Sequence, residues 1–160
     1  MRLTRATVAA EHERVRGDEE VVALVNETRD RLGEAFEVEV AHVTPEQYRA
    51  EVDTVFADGD TAVNVAALCG LLRDLDVEGD YPGFVVDELL GRELAGTIAA
   101  TKGRAYSLLA EATFHYADIH THGEAGEAAG TDDLTAALAA GFQTRLPGWS
   151  WTETESPFGV

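Results

Sequence analysis

Apolar residues recur along most of this chain at helical spacing, with polar positions filling the faces between them. In GDEEVVALVNETRDRLG, Val21, Leu24, Val25 and Leu32 form a stripe, Asp18 stands as N-cap, acids fill the first turn and Gly33 closes the pattern. These signals predict a helix over residues 18–33. TPEQYRAEVDTVF places Thr44 as cap, Pro45 at the first helical position and Glu46 and Gln47 behind it, predicting a helix over 45–57. After the turn ADGD, the run TAVNVAALCGLLRDL, capped by Asp60 or Thr61, is apolar almost all round and predicts a central helix over 60–75. Tyr81-Pro82-Gly83 marks a connection. From residue 84 to residue 122 the pattern is helical again, but one helix of that length would span about 58 Å. A break near residues 101–103 divides it into helices over 84–101 and 103–122. The small-residue linker GEAGEAAG precedes a last helix over 131–142.

Two segments follow a different period. Residues 2–10 alternate imperfectly, and in FEVEVAHV, residues 36–43, Phe36, Val38 and Val40 alternate with Glu37 and Glu39 as in a half-buried strand. The expected fold class is therefore α+β: a predominantly helical single domain over residues 1–145, with one or two short strands near the N-terminus followed by a helical bundle-like array. Residues 146–160 form an aromatic tail, expected to pack on that domain, in which Trp149 and Trp151 share a side if extended.

Composition narrows the functional classes. The 160 residues, 45% hydrophobic, suit one core. Thirty acidic residues stand against twelve basic ones, and the basic dozen is eleven arginines and Lys102, giving a net charge of -18. Such a surface repels phosphate backbones and anionic lipid, so neither nucleic acid nor membrane is an expected partner. Scarce lysine, abundant Asp and Glu, many Ala and Val, and only Ile98 and Ile119 as isoleucines resemble the proteins of salt-in halophilic archaea. In molar salt the Debye length falls to about 3 Å, which screens that excess charge. The lone Cys69, within VAALCGLL, reads as a small core residue. No secretory signal and no membrane-spanning run is evident in the sequence, which points to the cytoplasm.

The chemistry is concentrated in one stretch. A Gly-rich phosphate loop, GxGxxG, GxSxG and HExxH are all absent. DIHTH, Asp118 to His122, resembles over five residues the Asp-x-His-x-His metal motif of the polymerase-and-histidinol-phosphatase phosphoesterases. In that family the motif ends the first barrel strand and further ligands follow over a long chain, whereas thirty-eight residues follow His122 here. The resemblance therefore transfers no activity. On a continuous helix, Glu111, His115, Asp118 and His122 share one face while His120 points elsewhere. Together these five are the candidate ligands for a divalent transition metal, Zn, Mn or Fe, with His42, Glu88 or Glu93 as partners from other elements. Amphipathicity alone gives the same pattern on a solvated face. Gly91, Ala95, Ala99 and Gly103 recur every fourth residue and permit close helix approach, within the chain or between copies.

Two readings follow. One is a small acidic metal-binding protein, with no metal as the alternative for the same residues. The other is a non-enzymatic interaction or self-assembling protein, either a homo-oligomer or the binder of a protein partner. It would use Gly91, Ala95, Ala99, Trp149 and Trp151.

Overall fold

The computed structural model describes residues 1–76, 85–99, 104–120 and 130–149, with the side chains of Arg104, Ala105 and His120 outside the description. The described residues form seven helices: α1 Arg5–Arg16, α2 Glu19–Phe36, α3 Pro45–Ala57, α4 Gly59–Asp74, α5 Val86–Ala99, α6 Arg104–His120 and α7 Thr131–Gln143. No strand or sheet occurs among them. The architecture is a helical bundle, and the expected α+β class is wrong.

The segment expected as a first strand belongs to α1. Thr4 caps it and exchanges hydrogen bonds with Thr7, a reciprocal capping box. Its inward face is Val8, Glu11, His12 and Val15. Glu11 occupies a position where a helical stripe would carry an apolar residue, so the helical period is hidden in the sequence. Burial is made tolerable by Arg73 of α4, whose Nη1 and Nη2 donate to Glu11 Oε2 and Oε1 at 2.8 and 2.6 Å. His12 and Arg16 both donate toward Asp53 of α3, at 2.8 and 2.9 Å. Ion pairs thus pin α1 to α3 and α4.

The second expected strand is extended chain without a strand partner. α2 runs past Gly33 to Phe36 and ends at Glu37 in the left-handed conformation, φ 56°. The chain then returns along α2, and side chains of that helix supply what a neighbouring strand would have given. Asn26 Nδ2 donates to Val43 O at 3.0 Å, and Val43 N donates to Asn26 Oδ1 at 2.8 Å. Arg29 Nη1 donates to Ala41 O at 2.7 Å. The alternation of apolar residues is still used, because Val38 and Val40 pack on a small cluster of Leu32, Leu109 and Trp149.

α3 and α4 bend by 110° at Asp58, which caps α4 in place of the expected Asp60 or Thr61. No single described helix is long and apolar enough to cross a membrane. The central helix is α7 and not α4. Every residue from Asp133 to Gln143 except Thr135 is buried, and α7 touches α2, α3, α4, α5 and α6. Its alanines explain the position, since a thin helix lets five neighbours approach. At Gly141 a Cβ would lie 2.8 Å from Ile98 Cβ, so α5 closes fully onto α7 only over glycine. Around this axis Val25, Tyr48, Val52, Val65, Leu72, Leu94, Ile98, Phe114, Leu138 and Phe142 form the main core. Each large apolar side chain buried there contributes about 1.5–3 kcal/mol.

Candidate cation site

Three helices meet at Gly91. A Cβ on that residue would lie 2.7 Å from Phe114 of α6 and 3.5 Å from the Asp133 carbonyl of α7. One turn from Gly91 on the same face of α5 is Asp87, and one turn from Phe114 on the same face of α6 is Asp118. Asp132 and Asp133 stand in the first turn of α7. The crossing that Gly91 permits therefore brings carboxylates from three elements to one end of the bundle.

Asp133 is the unusual member. It is 5% exposed, and its Oδ1 makes no hydrogen bond. Burial pushes its carboxyl up to about 8, and the charges of Asp87, Asp132 and Asp118, with a side-chain hydrogen bond to Asp87, push in the same direction. The two helix N-termini partly offset this, because Asp87 and Asp133 both lie in first turns where backbone amides favour negative charge. α7 has no side-chain cap, Gly130 occupying that position. Two carboxyl groups in hydrogen-bond contact hold together when a proton or a cation lies between them.

The expected ligands are placed as follows. Glu111 and His115 are exposed on α6, and Asp118 is half-buried. Of the three whose side chains are described, Asp118 is the one that acts on the carboxylate group around Asp133. His120 ends α6 with its side chain outside the description, and His122 lies outside the described residues altogether. Among the described residues, no three His, Cys, Asp or Glu side chains gather as a ready-made metal cage. His42 pairs with Asp30 and Glu88 with Arg92, and the Glu88 amide donates to Asp87 Oδ1 at 2.9 Å. Gly91, Ala95 and Ala99 are buried within the chain on the face of α5 that meets α6 and α7. Trp149 is buried beneath Arg29, and Trp151, Gly103 and the linker at 123–129 lie outside the described residues.

Acids in a first helical turn are common, so position alone does not mark Asp87, Asp132 and Asp133 as a site. A signal was present for Asp133, which precedes LTAALAAGF and shares a helical face with Ala136, Ala137 and Ala140. That puts a carboxylate on the most apolar face of the molecule.

A second buried charge, Arg29, serves as a clamp. Its Nε donates to Gln143 Oε1 at 2.8 Å and its Nη1 to the carbonyls of Ala41 and Pro147 at 2.7 and 2.6 Å, while its guanidinium lies 5.8 Å from the Trp149 ring centroid. Burial lowers its pKa to about 10. It borders a groove of about 960 Å³, but Asp30, Glu34, Glu37 and Glu39 line the same groove and repel an anion. Cys69 is fully buried, and burial raises its thiol pKa far above neutrality, so it is no nucleophile.

Residues 1–160 match the model of a protein family described as Domain of unknown function (DUF7984). No curated protein and no solved structure matches the chain.

Proposed function

We propose that this chain, which belongs to the DUF7984 family, is a cation-binding protein that takes a divalent ion between Asp87 and Asp133, with Asp118 and Asp132 supplying further negative charge. The observation that carries this reading is the buried Asp133 carboxyl, one oxygen without a partner, in contact with a second carboxyl. Oxygen donors of this kind suit a hard ion such as Mg²⁺ or Mn²⁺, which is commonly held by one or two carboxylates and keeps several waters. Mn²⁺ is the member of the expected transition-metal set that fits best. The net charge of -18 assists by concentrating cations at the surface. The acid-rich, lysine-poor composition further supports placing the protein in a salt-rich cytoplasm, where competing monovalent ions make a buried dicarboxylate site advantageous.

The test is calorimetric titration of EDTA-treated protein with MnCl₂, MgCl₂ and ZnCl₂ in molar KCl at pH 8.5, alongside Mn²⁺ electron paramagnetic resonance. Wild type is expected to bind one Mn²⁺, with at least a tenfold loss, about 1.4 kcal/mol, in Asp133→Asn. A smaller loss is expected in Asp118→Asn and none in His115→Ala. Wild type that binds no ion, or Asp133→Asn that binds as tightly, would remove the reading.

A further inference from the structure

The crossing of α5, α6 and α7 at the acidic end of the bundle has almost no slack. Gly91 is buried on α5, and a Cβ there would lie 2.7 Å from Phe114 Cε2 and 2.9 Å from Phe114 Cζ, with the Asp133 carbonyl oxygen 3.5 Å away on the third helix. The ring has little room to swing clear, since Phe114 is 2% exposed and belongs to the main core. Non-bonded carbons settle at about 3.5 Å or more, so a methyl added at Gly91 would have to be met by about 0.8 Å of movement between α5 and α6.

That movement reaches the carboxylates. Asp87 lies one turn before Gly91 and Asp118 one turn after Phe114, so each rides on a helix that this contact positions. Asp133, buried on α7, has an Oδ1 with no hydrogen-bond partner among the described residues. The displacement exceeds the difference between ions: Mg²⁺ is held at about 2.0–2.1 Å from its oxygens, whereas Ca²⁺ takes about 2.3–2.6 Å and accepts a more flexible geometry.

We infer that Gly91 and Phe114 are the size gauge of the cation site: their contact holds the carboxylates of α5, α6 and α7 at a spacing that suits a small divalent ion and disfavours Ca²⁺. This role rests on the cation reading above, and Gly91 and Phe114 act through the carboxylates as positioning residues. A second glycine contact on α5 supplies the comparison. A Cβ at Gly141 of α7 would lie 2.8 Å from Ile98 Cβ, so a methyl there also wedges α5 from α7. Ile98 stands about 10 Å along the helix from Gly91, two turns farther from Asp87.

The test loads EDTA-treated wild type, Gly91→Ala, Phe114→Leu, the Gly91→Ala/Phe114→Leu double variant and Gly141→Ala with Mn²⁺ in molar KCl at pH 8.5. Mg²⁺ and Ca²⁺ are then titrated against the bound Mn²⁺ by electron paramagnetic resonance, and urea midpoints are measured alongside. Wild type is expected to yield its Mn²⁺ to Mg²⁺ more readily than to Ca²⁺. Gly91→Ala forces the helices apart and should shift that preference toward Ca²⁺ by about tenfold. Phe114→Leu removes the ring that spaces them and should shift it the same way by less. In the double variant the methyl fills part of the space the ring vacates, and the preference should return to within about threefold of wild type, although the protein stays less stable than wild type. Gly141→Ala should lower the urea midpoint and leave the preference unchanged, an outcome that a merely structural role for Gly91 would not separate. Wild type that binds no Mn²⁺ removes the gauge together with the cation reading. Wild type that binds Mn²⁺ but prefers Ca²⁺ to Mg²⁺, an unchanged preference in Phe114→Leu and in each Gly91 variant that folds, or an equal shift in Gly141→Ala overturns the gauge and leaves the cation reading standing.

Discussion

Asp133 decides what the acidic end of the bundle does at different pH. Its carboxyl is held up at about 8, above the ordinary carboxylate value near 4 that it regains on unfolding. Between those values the folded chain binds a proton that the unfolded chain does not, so this contribution is complete below about pH 4 and is lost as pH rises through about 8. The amount is on the order of a few kcal/mol. Asp133→Asn keeps the shape and removes the titration. In EDTA, urea midpoints of wild type and Asp133→Asn should be close at pH 4.5 and diverge by pH 8.5, with the variant the more stable. Parallel pH profiles would show that Asp133 ionises normally. The sequence did offer Asp118, but as part of a histidine face; for Asp133 the apolar run behind it was a signal, whose meaning depends on α7 being buried on nearly every side. A sequence pattern reports which face of one helix is apolar, and it does not report that three helices converge on Gly91.

Elements were legible where local chemistry alone decides them. α3 is the clearest case, since Thr44, Pro45 and Gln47 specify its start through bonds within four residues. The two mistaken strands failed for a shared reason: a residue far away supplies what the local pattern lacks. Arg73, sixty-two positions on, turns Glu11 into an inward-facing residue. Asn26, seventeen positions back, gives Val43 both backbone hydrogen bonds that a strand partner would have provided. Asn26→Ala should therefore cost about 1–3 kcal/mol, two hydrogen bonds with one backbone donor left half-buried. Hydrogen exchange at the Val43 amide should accelerate in the variant by more than global destabilisation explains. Exchange that follows global stability alone would mean the segment is held by Val38 and Val40 packing instead. Small-residue spacing on α5 has a similar lesson. Gly91 permits close approach, and the helices that approach it are α6 and α7 of the same chain, while Ala95 and Ala99 are buried on the same helix.

At the scale of the whole molecule, charge and core oppose each other. The core is alanine-rich around α7, and alanine offers less apolar area per residue than leucine or isoleucine, so the margin of stability rests on a modest hydrophobic term. Against it stand eighteen excess negative charges, which are closer together in the folded chain than in the unfolded one. Salt acts on the two terms differently. Raising KCl from about 0.1 M to about 1 M shortens the Debye length from about 10 Å to about 3 Å, below the spacing of most surface carboxylates. Repulsion is then largely removed, while the close Glu11–Arg73 pair, mostly shielded from solvent on the Glu11 side, is weakened far less. The melting temperature should accordingly climb steeply over this interval and level off above it. KCl and NaCl should act alike if screening is the cause. Potassium sulfate at equal ionic strength should add a further rise, because excluded kosmotropic anions strengthen apolar burial as well. A melting temperature independent of KCl would mean that the acidic surface carries no net penalty, and the compositional resemblance to halophilic proteins would then have no counterpart in stability.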